Sequence, residues 1–142
     1  MSINQGHNGL ATRDAMRTVV ERLHRLWSTG DLSLIPEVYS SDFVAHFPAG
    51  WEIKGHSGIR EVIESARAAF SDWTETIEDI IIEDDKAVTR YVSTGVHTGD
   101  FRGQAPTGER IVVDEVSIFR FEEGLVKEQW CVFARRESRS AS

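Results

Sequence analysis

Apolar residues recur with helical spacing in the first half of the chain and with a spacing of two in the second. From Ala15 onward, Met16, Val19, Val20, Leu23, Leu26 and Trp27 follow an i, i+3, i+4, i+7 rule, with Arg17, Glu21, Arg22 and Arg25 on the opposite side. Thr12 or Asp14 is placed to cap this helix and Gly30 to end it, with His24 read as a solvated residue between Arg22 and Arg25. Asp31 caps a short second helix through Leu34, Ile35, Val38 and Tyr39, which tolerates Pro36 in its first turn. Asp42–His46 and Trp51–Ile53 read as short extended pieces. A third helix runs from Ile59 to Phe70 with Ser57 as its cap, and Ile59, Val62, Ile63, Ala66 and Phe70 on one face.

Beyond Asp72 the period falls to two. Thr74–Glu83 and Ala87–His97 form two strands around a turn at Asp84-Asp85-Lys86, and a Gly- and Pro-containing loop follows from Thr98 to Glu109. Ile111–Phe133 then reads as a hairpin turning at Glu122-Glu123-Gly124, where Gly124 supplies the positive φ such turns need. A three-residue turn sets Glu115 opposite Cys131 and Ser117 opposite Gln129, all on one face with Val113, Phe119 and Phe133. Three helices followed by a four-stranded meander make an α+β domain. The sheet either curves round a helix and leaves a cavity, or lies flat over a filled core.

Composition narrows the classes. The 142 residues suit one domain. It is placed at 12–134, between a flexible arm at 1–11 and a polar tail at 135–142. A net charge of −7 offers no basic stripe for nucleic acid and opposes binding to anionic membranes. No apolar run approaches membrane-spanning length, one cysteine leaves no intrachain disulfide, and the N-terminus is polar, so a cytoplasmic location is expected. His24, His46, His56 and His97 lack metal-ligand spacing, and no nucleotide-binding or nucleophile-elbow motif occurs. No metal and no cofactor is therefore expected.

Three segments carry a family resemblance. They are the Trp27-Ser-Thr-Gly-Asp31 helix break, the Thr94-Gly-Val-His97-Thr-Gly-Asp-Phe-Arg-Gly-Gln-Ala-Pro-Thr-Gly108 loop, and the Ile118-Phe-Arg to Glu128-Gln-Trp130 hairpin. Together they resemble the SnoaL-like polyketide cyclases of the superfamily named for nuclear transport factor two, over roughly residues 12–134. The resemblance implies a cone-shaped curved antiparallel sheet wrapped round a long N-terminal helix, a deep pocket at its open end, and a homodimer or higher oligomer formed through the outer sheet face. It also implies cofactor-free ring closure by intramolecular aldol condensation, with relatives that assist hydroxylation or hydrolyse epoxides. In cyclases of this kind an Asp on the last strand is the base and a His on the preceding strand polarises the carbonyl. Aligned on the hairpin, those positions hold Cys131 and Ser117.

Glu115 then becomes the first candidate for a base, because a carboxyl among apolar side chains is poised near neutral pH. The competing reading leaves it in solvent or in a structural hydrogen bond. Cys131 is a candidate nucleophile, which needs a nearby cation such as His97, or else a small core residue. Ser117 is a third candidate for the chemistry. Gln129, His97, His46, Trp51, Phe119 and Phe133 are candidate ligand contacts, with His97 at the pocket mouth or bracing its loop. The expected ligand is a small apolar carbonyl compound. The alternatives are a non-catalytic binding or accessory protein, a related hydrolase or hydroxylation partner using an Asp114–Arg90 pair, and a purely oligomerising module.

Overall fold

The computed structural model describes the backbone of residues 5–137 and the side chains of residues 12–137. Helix α1 spans Gln5–Thr29, α2 Ile35–Val38 and α3 Gly55–Ala69. The strands are β1 (Tyr39–His46), β2 (Glu52–Lys54), β3 (Phe70–Glu83), β4 (Lys86–His97), β5 (Arg110–Glu122) and β6 (Leu125–Arg135). Helix α1 begins before the Thr12 or Asp14 cap expected from the sequence. The expected arm and tail fall in part on residues 1–4 and 138–142, which lie outside the described residues.

Among the described residues the strands form one curved, unclosed sheet in the order β2-β1-β6-β5-β4-β3. The expected meander is β3 to β6. The two short extended pieces join it as β1 and β2, because β1 runs parallel to β6 and pairs antiparallel with β2. Alternation turns one face of each long strand toward α1, whose Met16, Val19, Val20, Leu23 and Leu26 are buried against Phe119, Phe121, Ala87 and Val126. Each such large side chain contributes about 1.5–3 kcal/mol on full burial. A smaller cluster of Ala69, Phe70, Ile111 and Val113, with Trp73 and Phe101, sits apart from this core.

Helix α1 is stopped as its sequence demands. Gly30 has φ 74°, and its N–H donates to the Leu26 carbonyl at 2.8 Å. Arg67 of α3 donates to the carbonyls of Trp27 and Ser28 at 3.1 and 2.9 Å, placing a cation where the helix dipole favours one. Helix α3 starts earlier than expected, at Gly55 after Lys54, so Ser57 lies inside it. Phe70 opens β3 instead of ending the helix.

The β5–β6 hairpin departs from its expected register by two residues. The turn holds two residues, Glu123 (φ 53°) and Gly124 (φ 80°), so Glu122 pairs with Leu125. A bulge at Lys127 then adds one residue to β6, because Phe121 pairs with Val126 but Arg120 with Glu128. Glu115 therefore lies opposite Phe133, and Ser117 opposite Cys131. Two one-residue steps in the same direction restore parity, and the expected residues keep the inner face.

Candidate functional site

A pocket of about 510 Å³ opens between α1, α3 and the concave sheet face. Leu23 and Trp27 of α1 and Val62, Ser65 and Ala66 of α3 form one side. Trp73, Tyr91, Ile111, Val113 and Phe133 form the sheet side. Trp51, Phe47 and Phe101 stand with Arg102, whose guanidinium lies 4.5 Å from the centre of the Trp51 ring. Polar side chains on this wall include Glu75, Glu115, Gln129 and Cys131 on the long strands, Glu52 and Lys54 on β2, and Glu61 and Ser65 on α3.

Glu115 lies on β5 between Tyr91 of β4 and Phe133 of β6. Its carboxyl accepts a short hydrogen bond from Ser93 Oγ and a weak one from Cys131 Sγ at 3.8 Å. Burial pushes its pKa from 4.5 to about 8, with the charge of Glu75 adding to the rise. Glu75 is also buried, its side chain 6 % exposed. Its Oε1 lies 2.8 Å from His24 Nδ1, its Oε2 accepts from Trp73 Nε1 at 3.2 Å, and its backbone N–H donates to Ser28 Oγ at 2.9 Å. His24 Nε2 lies 3.0 Å from Thr89 Oγ1.

A neutral set lies beside these carboxyls. Tyr91 Oη is 2.9 Å from Ser117 Oγ and 3.7 Å from Cys131 Sγ, and Gln129 Nε2 donates to Ser117 Oγ at 3.1 Å. Burial, then the charge of Glu115, pushes the Cys131 thiol up to about 12. At neutral pH it is a thiol. The nucleophile role expected for Cys131 is not supported, since its polar neighbours are Tyr91 and Glu115 and neither is a cation.

The structure gathers Glu115, Gln129, Cys131, Trp51 and Phe133 on the pocket wall and leaves four other candidates off it. Ser117 and Phe119 are fully buried, Ser117 in the Tyr91–Gln129 hydrogen bonds and Phe119 in the main core. His46 is on the far face of β1, where it bonds Glu52 and Glu128 and stacks on Trp130. His97 is buried against Phe70 and braces the loop after β4. The Thr107 N–H donates to its Nδ1, so the ring proton sits on Nε2, which has no hydrogen-bond partner. Asp114 and Arg90 do not pair either: they bind Arg136 and Asp79 on the exposed face.

His24, Glu75, Tyr91 and Ser93 belong to the site although sequence reasoning passed over them. His24, read as solvated, is buried with 3 % exposure, because β3 and β4 wrap the flank of α1 that seemed free. It stands four residues after Val20 and three before Trp27, on their side of the helix. Glu75 alternates with Trp73 and Ile77, and Ser93 with Tyr91, so period two already put them with inward neighbours. Among the described residues no three His, Cys, Asp or Glu side chains converge as metal ligands, and no helix is long and apolar enough to cross a membrane.

Comparison with known proteins agrees with this architecture. Among solved structures the chain is similar to AclR, a candidate hydroxylase from Streptomyces galilaeus, with 28 % identity and a TM-score of 0.75 over 86 % of this chain and 76 % of that one. It is also similar to IdmH, a candidate polyketide cyclase from Streptomyces antibioticus, with 27 % identity and a TM-score of 0.73 over 83 % and 91 % of the two chains. TsrD from Streptomyces laurentii matches at 25 % identity and a TM-score of 0.77, over 85 % and 89 %. No curated protein matches. The model of the SnoaL-like polyketide cyclases matches residues 17–137, and the chain belongs to that family.

Proposed function

We propose that the pocket binds an apolar, carbonyl-bearing compound and moves a proton on it, with Glu115 as the proton-transfer residue. The observation that carries this reading is a carboxyl on the wall of an aromatic-lined cavity with its pKa raised to about 8. A group titrating near the working pH both takes and gives protons efficiently, and such catalysis is worth roughly 10²–10⁴-fold. The family's Asp and His positions are Cys131 and Ser117 here, so the proton has to move from another group. Glu115 is a hydrogen-bonded neighbour of Cys131 on the same wall.

The test is exchange of the α-hydrogens of 2-tetralone in deuterated buffer, followed by proton NMR. The protein accelerates exchange, and Glu115→Gln removes about 10²-fold or more of that acceleration. Exchange no faster than in buffer while 2-tetralone binds would replace this reading with that of a binding or accessory protein. The neutral Tyr91–Ser117–Gln129 set favours that second reading, and similarity to AclR extends it to a hydroxylation partner.

The same proposal includes a homodimer through the outer sheet face. Ile118 pairs with Trp130 and Val116 with Val132 on that face, where Trp130 is 37 % and Val132 62 % exposed. Ion pairs Arg90–Asp79, Arg136–Asp114 and Arg120–Glu128 flank this strip. An apolar centre with a polar rim is the anatomy of a protein interface.

A further inference from the structure

We propose that Glu75 is a second catalytic group, the base that partners Glu115 as acid, so that the site carries a proton from carbon to oxygen on an enolisable ketone. This rests on the proton-transfer reading of the pocket and deepens it. Glu75 lines the pocket with its side chain largely shielded from solvent. Carboxyls are rarely buried without a partner, because the charged form loses its hydration. Here the partner is His24, also buried, and an apolar pair of similar size would fill the same space without that loss.

The two carboxyls occupy matched places on the wall. Glu75 pairs across the ladder with Ser93, and Ser93 Oγ donates to Glu115 from the other side of β4. Their backbones are two strands apart, with Glu115 two residues along β5 from the position opposite Ser93, and both line the same cavity. Their hydrogen-bond donors differ. Glu75 Oε2 accepts from the Trp73 N–H and its Oε1 lies 2.8 Å from His24 Nδ1, a pair of nitrogen partners suited to the carboxylate form. Glu115 has a hydroxyl and a thiol, neither cationic, and feels the charge of Glu75. The other titratable groups about it are Tyr91 on β4 and Cys131 on β6, both held neutral by burial, with Glu61 farther out on α3. One proton shared unequally between two carboxyls assigns an acid and a base.

The step balances without an oxidant or reductant. Glu75 takes the proton from the carbon next to the carbonyl. The C–H pair becomes the new C=C bond, the carbonyl π pair moves to oxygen, and oxygen takes the Glu115 proton. The product is an enol, which either attacks a second carbonyl or regains the Glu75 proton at a conjugated carbon while Glu115 recovers its own. His24 touches no substrate and is a positioning residue.

The experiment has two readouts on the full chain. In the first, ¹³C NMR of labelled glutamate follows the titration of Glu115 in the wild type and in Glu75→Gln; removal of the neighbouring charge lowers its midpoint by about one pH unit. In the second, 2-tetralone exchange in deuterated buffer falls about 10²-fold in Glu75→Gln, and Glu75→Gln with Glu115→Gln loses little beyond the worse single variant. His24→Gln lowers the rate and moves its pH profile. If Glu75→Gln does not fold, Glu75→Asp serves: it keeps the charge, leaves the Glu115 midpoint in place and still slows exchange. Exchange that is lost in Glu115→Gln but intact in the Glu75 variant overturns the assignment of Glu75 alone. A wild type that binds 2-tetralone without exchange overturns both readings of the chemistry.

Discussion

Between pH 5 and pH 8 the folded protein and the unfolded chain hold different numbers of protons at Glu115. The folded pKa is about 8 against an ordinary 4.5, so the native state binds more protons across that window and stability falls as pH rises. The loss is complete above the folded value and is on the order of a few kcal/mol. Asp42, Asp114 and Glu128 work in the other direction, held down by Lys127, Arg136 and His46, and they lose their support only below pH 4.5. Urea-unfolding midpoints measured from pH 5 to 9 are expected to decline for the wild type and to stay nearly level for Glu115→Gln. An equal decline in both would remove Glu115 as the cause. Glu115 was legible from alternation alone, since it shares a face with Val113 and Phe119. Its charged neighbour was not. Glu75 and His24 are 51 positions apart in the chain, and His24, beside Arg25 and two residues from Arg22, reads as solvated.

At the scale of elements, the Thr94-to-Gly108 motif marks the family, and the structure supplies the steric reason for two of its glycines. A Cβ on Gly99 would sit 2.3 Å from the Ala68 carbonyl oxygen, where the loop hooks over the end of α3 by N–H bonds from Thr98 and Gly99 to the Ala69 carbonyl. A Cβ on Gly95 would sit 2.9 Å from the Trp73 ring on the neighbouring strand. Gly99→Ala is expected to cost about 1–3 kcal/mol, read as a lower urea midpoint, because backbone cannot yield as a side-chain tip can. A midpoint within error of the wild type would mean the loop moves freely. These contacts join residues 31 and 22 positions apart, so the sequence showed that glycine recurs there but not what it makes room for. The hairpin has the same limit: the face of each strand was readable, while the register depended on a bulge that no residue type at Lys127 announces.

For the molecule as a whole, helix order, the meander and the α+β class were all readable from periodicity. The place of β1 was not, because a parallel partner 80 or more residues away leaves no local trace. That pairing brings Asp42 to Lys127, tying an irregular stretch of β1 to the bulge of β6. The outer face gives the prediction at this scale: sedimentation velocity at micromolar concentration shows a dimer, and Trp130→Glu or Val132→Glu gives a monomer that still binds 2-tetralone. A monomeric wild type would end the dimer proposal without touching the pocket.

The Lys127 bulge also limits how this hairpin can change in length. Straightening the bulge with Lys127 kept and the turn unchanged would set Lys127 opposite Arg120, send Gln129, Cys131 and Phe133 outward and bring Trp130 and Val132 into the cavity. Substitutions can therefore remake the chemistry of the wall one position at a time. A single deletion preserves it only at Lys127, where it removes the unpaired residue and leaves Glu128 opposite Arg120.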